Sequence, residues 1–122
     1  MSEDLRLSVL ACTDLQPEAV ATPEWPTVDG KLFVRGLSGS ERDEWELFLA
    51  SRREDSGEWK PGTTNIRATL IVKCCVDASG TRLFADADIP AVGAKSAAVV
   101  DRLYGVARRL SGLAVTEDDA KN

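Results

Sequence analysis

The sequence predicts an α+β domain: a small N-terminal β-hairpin packed on a mainly helical body. Three observations predict it. Pro17, Pro23 and Pro26 cut the first third into short pieces, beside an Asp29-Gly30 step that marks a tight turn. Trp45, Phe48 and Leu49 follow at i, i+3 and i+4 behind a capping sequence. Val99, Val100, Leu103, Ala107 and Leu110 repeat the helical spacing up to Gly112.

In the first third, Ala19 to Trp25 has the length of an edge strand. Beyond Asp29-Gly30, Lys31-Leu-Phe-Val-Arg35 is a compact β-type run. The expected hairpin pairs Trp25–Val28 with Leu32–Arg35, and it needs a helix to cover its apolar face. Ser38 with Glu41 supplies a capping box for that helix, and Ser40 with Asp43 offers a competing start. Acidic residues crowd its first half and Arg52-Arg53 its end, as the helix dipole favours.

Glu54 to Gly62 is polar and carries Gly57, Pro61 and Gly62, so it reads as a loop. Trp59 inside it is expected to fold back onto the core. Ile66–Val76 is almost wholly apolar, so periodicity leaves strand and helix open; the stripe Ile66, Leu70, Cys74 favours helix, capped by Asn65 or Thr64. Asp77-Ala-Ser-Gly80 is a turn. The last helix spans about 94–111, with Gly112 as its left-handed stop and Leu113 packing back. Gly105 in its interior suggests a close backbone contact. Thr116 would cap a short acidic terminal turn.

Composition narrows function. The 122 residues suffice for one hydrophobic core, and 43% hydrophobic with 29% charged is ordinary for a globular domain. A net charge of -5 argues against nucleic acid or an anionic membrane surface as the main partner. Histidine is absent, which removes the commonest general base and metal ligand together. No apolar run approaches a membrane span, and the acidic start Met1-Ser-Glu-Asp4 lacks the basic character of a secretory signal. A cytoplasmic location is therefore expected. Three cysteines fit a disulfide framework poorly, and the neighbours Cys74 and Cys75 read as buried apolar side chains. Only Cys12 is left to join them at a metal site.

Motifs for chemistry fail in turn. Asp77 to Asp88 has the length of a calcium loop, but its glycine falls at the fourth position and it ends in Asp. Gly57 to Gly62 has the glycine spacing of a phosphate loop, yet Thr63 stands where lysine is needed. The acidic pairs Asp86/Asp88 and Glu41/Glu44 have no pocket signature around them and read as surface charge. No catalytic, cofactor-binding or metal-binding residue is assigned, and no enzyme activity or cofactor is expected. What is left is binding through apolar surface, by whichever aromatics among Trp25, Phe33, Trp45, Phe48, Trp59 and Phe84 stay outside the core.

The order of several segments resembles the tail assembly chaperones of long-tailed, siphovirus-type bacteriophages. They are Thr22-Pro-Glu-Trp-Pro-Thr-Val28, Leu32-Phe-Val-Arg-Gly-Leu-Ser-Gly-Ser-Glu-Arg-Asp-Glu-Trp-Glu-Leu47, Asn65-Ile-Arg-Ala-Thr-Leu-Ile-Val72, Gly80-Thr-Arg-Leu-Phe-Ala-Asp-Ala-Asp-Ile89, Lys95-Ser-Ala-Ala-Val-Val-Asp-Arg-Leu-Tyr104 and Arg109-Leu-Ser-Gly-Leu113. The resemblance implies helix at Ile66–Val76, hence a hairpin with about three helices. It divides the chain into an N-terminal extension (1–18, partly ordered), one chaperone-like α+β domain (19–114) and an acidic tail (115–122).

The implied role is to bind the tape measure protein and keep it soluble while the tail tube assembles, in the host cytoplasm and without retention in the particle. The tail tube protein and a longer frameshifted form of the same chain are further implied partners, and a homo-oligomer is compatible. Ala120-Lys-Asn122 is compatible with a slippery run of adenines in the gene. The competing reading is a structural tail completion or minor tail protein. For the tape measure segment, the expected surfaces are the outer side of the Ser40–Arg53 helix or the Val99–Leu110 face.

Overall fold

In a computed structural model, residues 2–26 and 28–113 are described; Thr116 and the segments 115–122 and Ala120–Asn122 discussed above lie outside them. Five α-helices and a three-stranded antiparallel sheet alternate along the described chain. In order they are α1 (Ser2–Ala11), β1 (Glu18–Ala21), β2 (Lys31–Val34), α2 (Gly39–Ser51), α3 (Ile66–Cys74), β3 (Cys75–Val76), α4 (Ile89–Gly93) and α5 (Ala97–Leu110). The class is α+β as expected, with one more strand than the hairpin and more helices than three.

The sheet order is β1-β2-β3. The hairpin exists, but its first strand lies further upstream than expected: Glu18 faces Val34 and Ala21 faces Lys31. Trp25–Val28 is therefore not the pairing strand. Pro26 lacks the N–H that a ladder position needs, whereas 18–21 contains no proline. The segment Ala19–Trp25 is strand only to Ala21, ahead of Pro23. Asp29 and Gly30 do take the left-handed conformation of a tight turn, with φ of 68° and 60°. They end a longer loop instead, closed by Thr22 N–H donating to Gly30 O at 2.9 Å.

The helix α2 starts at the Ser38 box and not at Ser40. Glu41 N–H donates to Ser38 Oγ (3.2 Å) and Ser38 N–H donates to Glu41 Oε1 (2.8 Å). Arg35 then clamps the same carboxylate through both terminal nitrogens at 2.8 and 2.9 Å. That bidentate hydrogen bond, more than the cap, holds Glu41 down to about 2.

Ile66–Cys74 is helix, and Cys75-Val76 turns into the third strand, so the apolar run is both of the structures its composition allowed. Asn65 precedes it with a left-handed φ of 61° and makes no side-chain cap; its carbonyl accepts from Thr69 N–H and Oγ instead. This helix is the centre of the molecule. Leu70, Ile71, Val72 and Cys74 are fully buried, and α3 packs on α5 through Val99, Leu103 and Ala107. The short α4, with Pro90 in its first turn, fills the remaining side.

Two ends of the fold are tied together at Gly36. A Cβ there would lie 2.3 Å from the Leu110 carbonyl oxygen, so only glycine lets the backbones meet. Next to it Leu37 N–H donates to Ser111 Oγ at 2.9 Å. The α5 stop is as expected: Gly112 has φ 63°, Leu113 N–H bonds back to Arg108 O, and Leu113 packs against the core. Gly105 is a correction. It is exposed, and a Cβ there would meet nothing within 4 Å, because it lies on the face of α5 turned from α3.

Candidate functional site

The near-miss motifs resolve into local structure. Asp77 Oδ1 accepts from Ser79 N–H (2.9 Å), Ser79 Oγ (2.6 Å) and Thr81 N–H (3.0 Å), and these bonds hold its carboxyl below the usual range. The carboxylate closes its own turn. Trp59 does not reach the core: it is 42% exposed and lies under the Arg53 guanidinium, 3.7 Å from the ring centre. Stacking on Arg53, just past the end of α2, is the cation–π alternative to burial for an aromatic on a short loop.

Cys74 and Cys75 are buried, as the sequence suggested, and burial pushes their thiols up to about 11 and about 12. Cys12 is exposed, directly after the end of α1. Among the described residues no group of three His, Cys, Asp or Glu side chains is placed to hold a metal ion. No helix among them is long and apolar enough to cross a membrane.

Of the two faces expected to hold a partner, the Val99–Leu110 face is spent. Val99, Val100, Leu103 and Ala107 are covered by the domain's own α3, because a small domain needs its most amphipathic helix for the core. The outer side of α2 is open, but it carries Asp43, Glu44 and Glu46 around a single exposed leucine, Leu47. Trp45 is 2% exposed and stacks on Phe48 inside.

The apolar surface lies elsewhere. Trp25, Leu32, Leu83, Phe84, Ala91 and Val92 line an open groove of about 730 Å³. The hairpin loop supplies Trp25, β2 supplies Leu32, the segment after β3 supplies Leu83 and Phe84, and α4 forms the floor. Leu83 is 45% exposed, while Trp25, Leu32 and Phe84 are half-buried against the core. Those three are thus packed on the core from below, and the groove is open above.

Three charges rim the groove. Glu24 is taken: Arg102 holds both its oxygens at 2.8 and 2.7 Å and brings it down to about 2. Asp88 accepts the Ala85 N–H at 2.9 Å. Lys95 has no carboxylate partner among the described residues. Trp25 and Phe84 were among the aromatics singled out from sequence; Leu83 was not, since a lone leucine after a turn carries no pattern.

The groove is apolar with a sparse charged rim, a composition common at protein-binding surfaces. Residues 7–122 match the family described as phage tail assembly chaperone, and the chain belongs to that family. The fold is similar to that of the tail assembly chaperone of bacteriophage HK97, with a TM-score of 0.58 at 21% identity over 94% of this chain and 100% of that one. No curated protein sequence matches it.

Proposed function

We propose that this chaperone binds the tape measure protein of its phage in the host cytoplasm, through the Trp25–Leu83 groove, and keeps it soluble while the tail tube is built. The observation that supports the reading is the groove itself: apolar, preformed and open on an acidic member of this family. A long helical protein with uncovered apolar faces aggregates, and a small charged domain seated on them prevents that. In this reading residues 19–114 are the working domain, 1–18 an extension and 115–122 a tail. No chemical step is involved.

Coexpression tests it. The tape measure protein should stay in the soluble fraction with the wild-type chaperone and pellet without it, and Leu83→Asp should abolish the rescue while the domain keeps its melting temperature. Recovery of no complex overturns the reading. Detection of the chain in purified particles would favour the structural tail component instead.

A further inference from the structure

The groove has apolar walls but no open sheet edge. Leu32 comes from β2, and β1 and β3 pair with that strand on either side. The outer side of β3 is closed as well, where Val76 bridges Arg82 and Leu83 N–H donates to Cys75 O at 3.0 Å. An extended segment lying in the groove therefore finds no ladder to join. Its own N–H and C=O groups would stand unpaired against Trp25, Leu83 and Phe84. A helix keeps its backbone hydrogen bonds inside itself and presents side chains alone. The floor suits it. Asp88, Ala91, Val92 and Lys95 recur at the spacing of one helical face along α4 and its two ends.

The rim charges are not equivalent. Glu24 has Arg102 on both its oxygens, and Asp88 accepts the Ala85 N–H, so both acids are engaged. Lys95 is exposed, and its ammonium has no partner among the described residues. On a chain of net charge -5, the rim charge left over is positive. A purely apolar helix would fill the groove and leave that ammonium unanswered. A carboxylate just beyond the apolar stripe answers it.

On the client-binding reading of this groove, we infer that it selects one kind of segment. The occupant is an amphipathic helix of the client with apolar side chains at i, i+3 or i+4 and i+7, and an Asp or Glu within one turn of that stripe, paired with Lys95. Apolar contacts supply most of the affinity, and the rim pair decides which helix is accepted. Because Lys95 is exposed, the pair alone changes Kd by about two- to fivefold. Reversing the charge does more, since repulsion replaces attraction.

Two synthetic peptides of about 18 residues, long enough to be helical, test this against the full chain. They share a leucine stripe and differ only in carrying Glu or Lys beside it. Wild type should bind the Glu helix about tenfold more tightly at low salt, with the preference shrinking as salt is added. Lys95→Ala should abolish the preference and Lys95→Glu should reverse it; both keep the fold, since this side chain has no partner to lose. Leu83→Asp should release both helices. Proline at the centre of the Glu peptide should also abolish binding. Failure of the Glu helix to bind, equal binding of the two helices, a preference that Lys95→Glu leaves unchanged, or a proline peptide as tight as its parent overturns the inference.

Overlapping peptides of the tape measure protein, run on wild type and Lys95→Glu, separate this inference from the client reading. Those held by wild type and released by Lys95→Glu should carry the apolar stripe with a neighbouring Asp or Glu. If wild type holds none of them while the Glu helix still binds through Lys95, the client reading falls and the groove's choice of an acid-bearing helix stands. If both proteins hold the same peptides equally well, the client reading stands and the inference falls.

Discussion

The helices α1 and α3 are of nearly the same length and both rich in aliphatic residues, yet one is the centre of the molecule and the other buries no side chain. In α3, Leu70, Ile71 and Val72 are fully buried, with α4 and α5 packed on the helix. In α1, four aliphatic side chains stand in solvent. Apolar content alone does not decide burial; the presence of a facing stripe does. The partner stripe for α3 is on α5, whereas none of the described elements packs closely on α1.

The contrast can be broken first at the α3–α5 seam. Leu70→Ala or Leu103→Ala should cost about 3 kcal/mol, from lost transfer energy and the cavity left in a site that cannot collapse; urea unfolding measures it. Gly36→Ala comes next. Its methyl must push the Leu110 carbonyl aside, and about 2 kcal/mol should be lost, read as a lower denaturation midpoint.

Glu41→Gln should cost about 1 kcal/mol at neutral pH, since the Arg35 pair is partly exposed and solvent screens it. The sign with pH follows from the lowered carboxyl. Its contribution is complete above the ordinary value of 4.5 and is lost as pH falls towards about 2, so wild type and variant should converge in acid. Smaller still, and opposite in sign, Gly105→Ala should stabilise by about 0.5–1 kcal/mol, because the open face of α5 accepts a methyl and alanine favours helix. Last, Leu10→Ser in α1 should leave the melting temperature of dilute protein within error, about 0.5 kcal/mol or less. A large loss there would mean that α1 docks on its own domain, and the contrast with α3 would fail.

What was legible in the sequence follows the same logic. The Ser38–Glu41 cap, the Trp45–Phe48 face, the Val99–Leu110 stripe and the Gly112 stop are local signals, and each is where the residues placed it. The hairpin register was not legible. An Asp-Gly step fixes the backbone at two residues but not the length of the loop it ends, and the prolines on either side of Trp25 moved the strand upstream. Gly105 misled because an interior glycine signals either a close contact or nothing, and only the packing distinguishes the two. The groove was illegible for a different reason: its apolar lining comes from the hairpin loop, β2, the segment after β3 and α4, and no periodicity joins them. The helix α1 was masked by the absence of a single apolar face.

The three thiols give the folded state a clock of its own. Cys12 lies in solvent, while Cys74 and Cys75 sit behind α5 and the hairpin with their protons held tightly. An alkylating reagent should therefore count one sulfur at once and the other two only as fast as the molecule opens, which turns labelling kinetics into a direct gauge of how often the interior breathes.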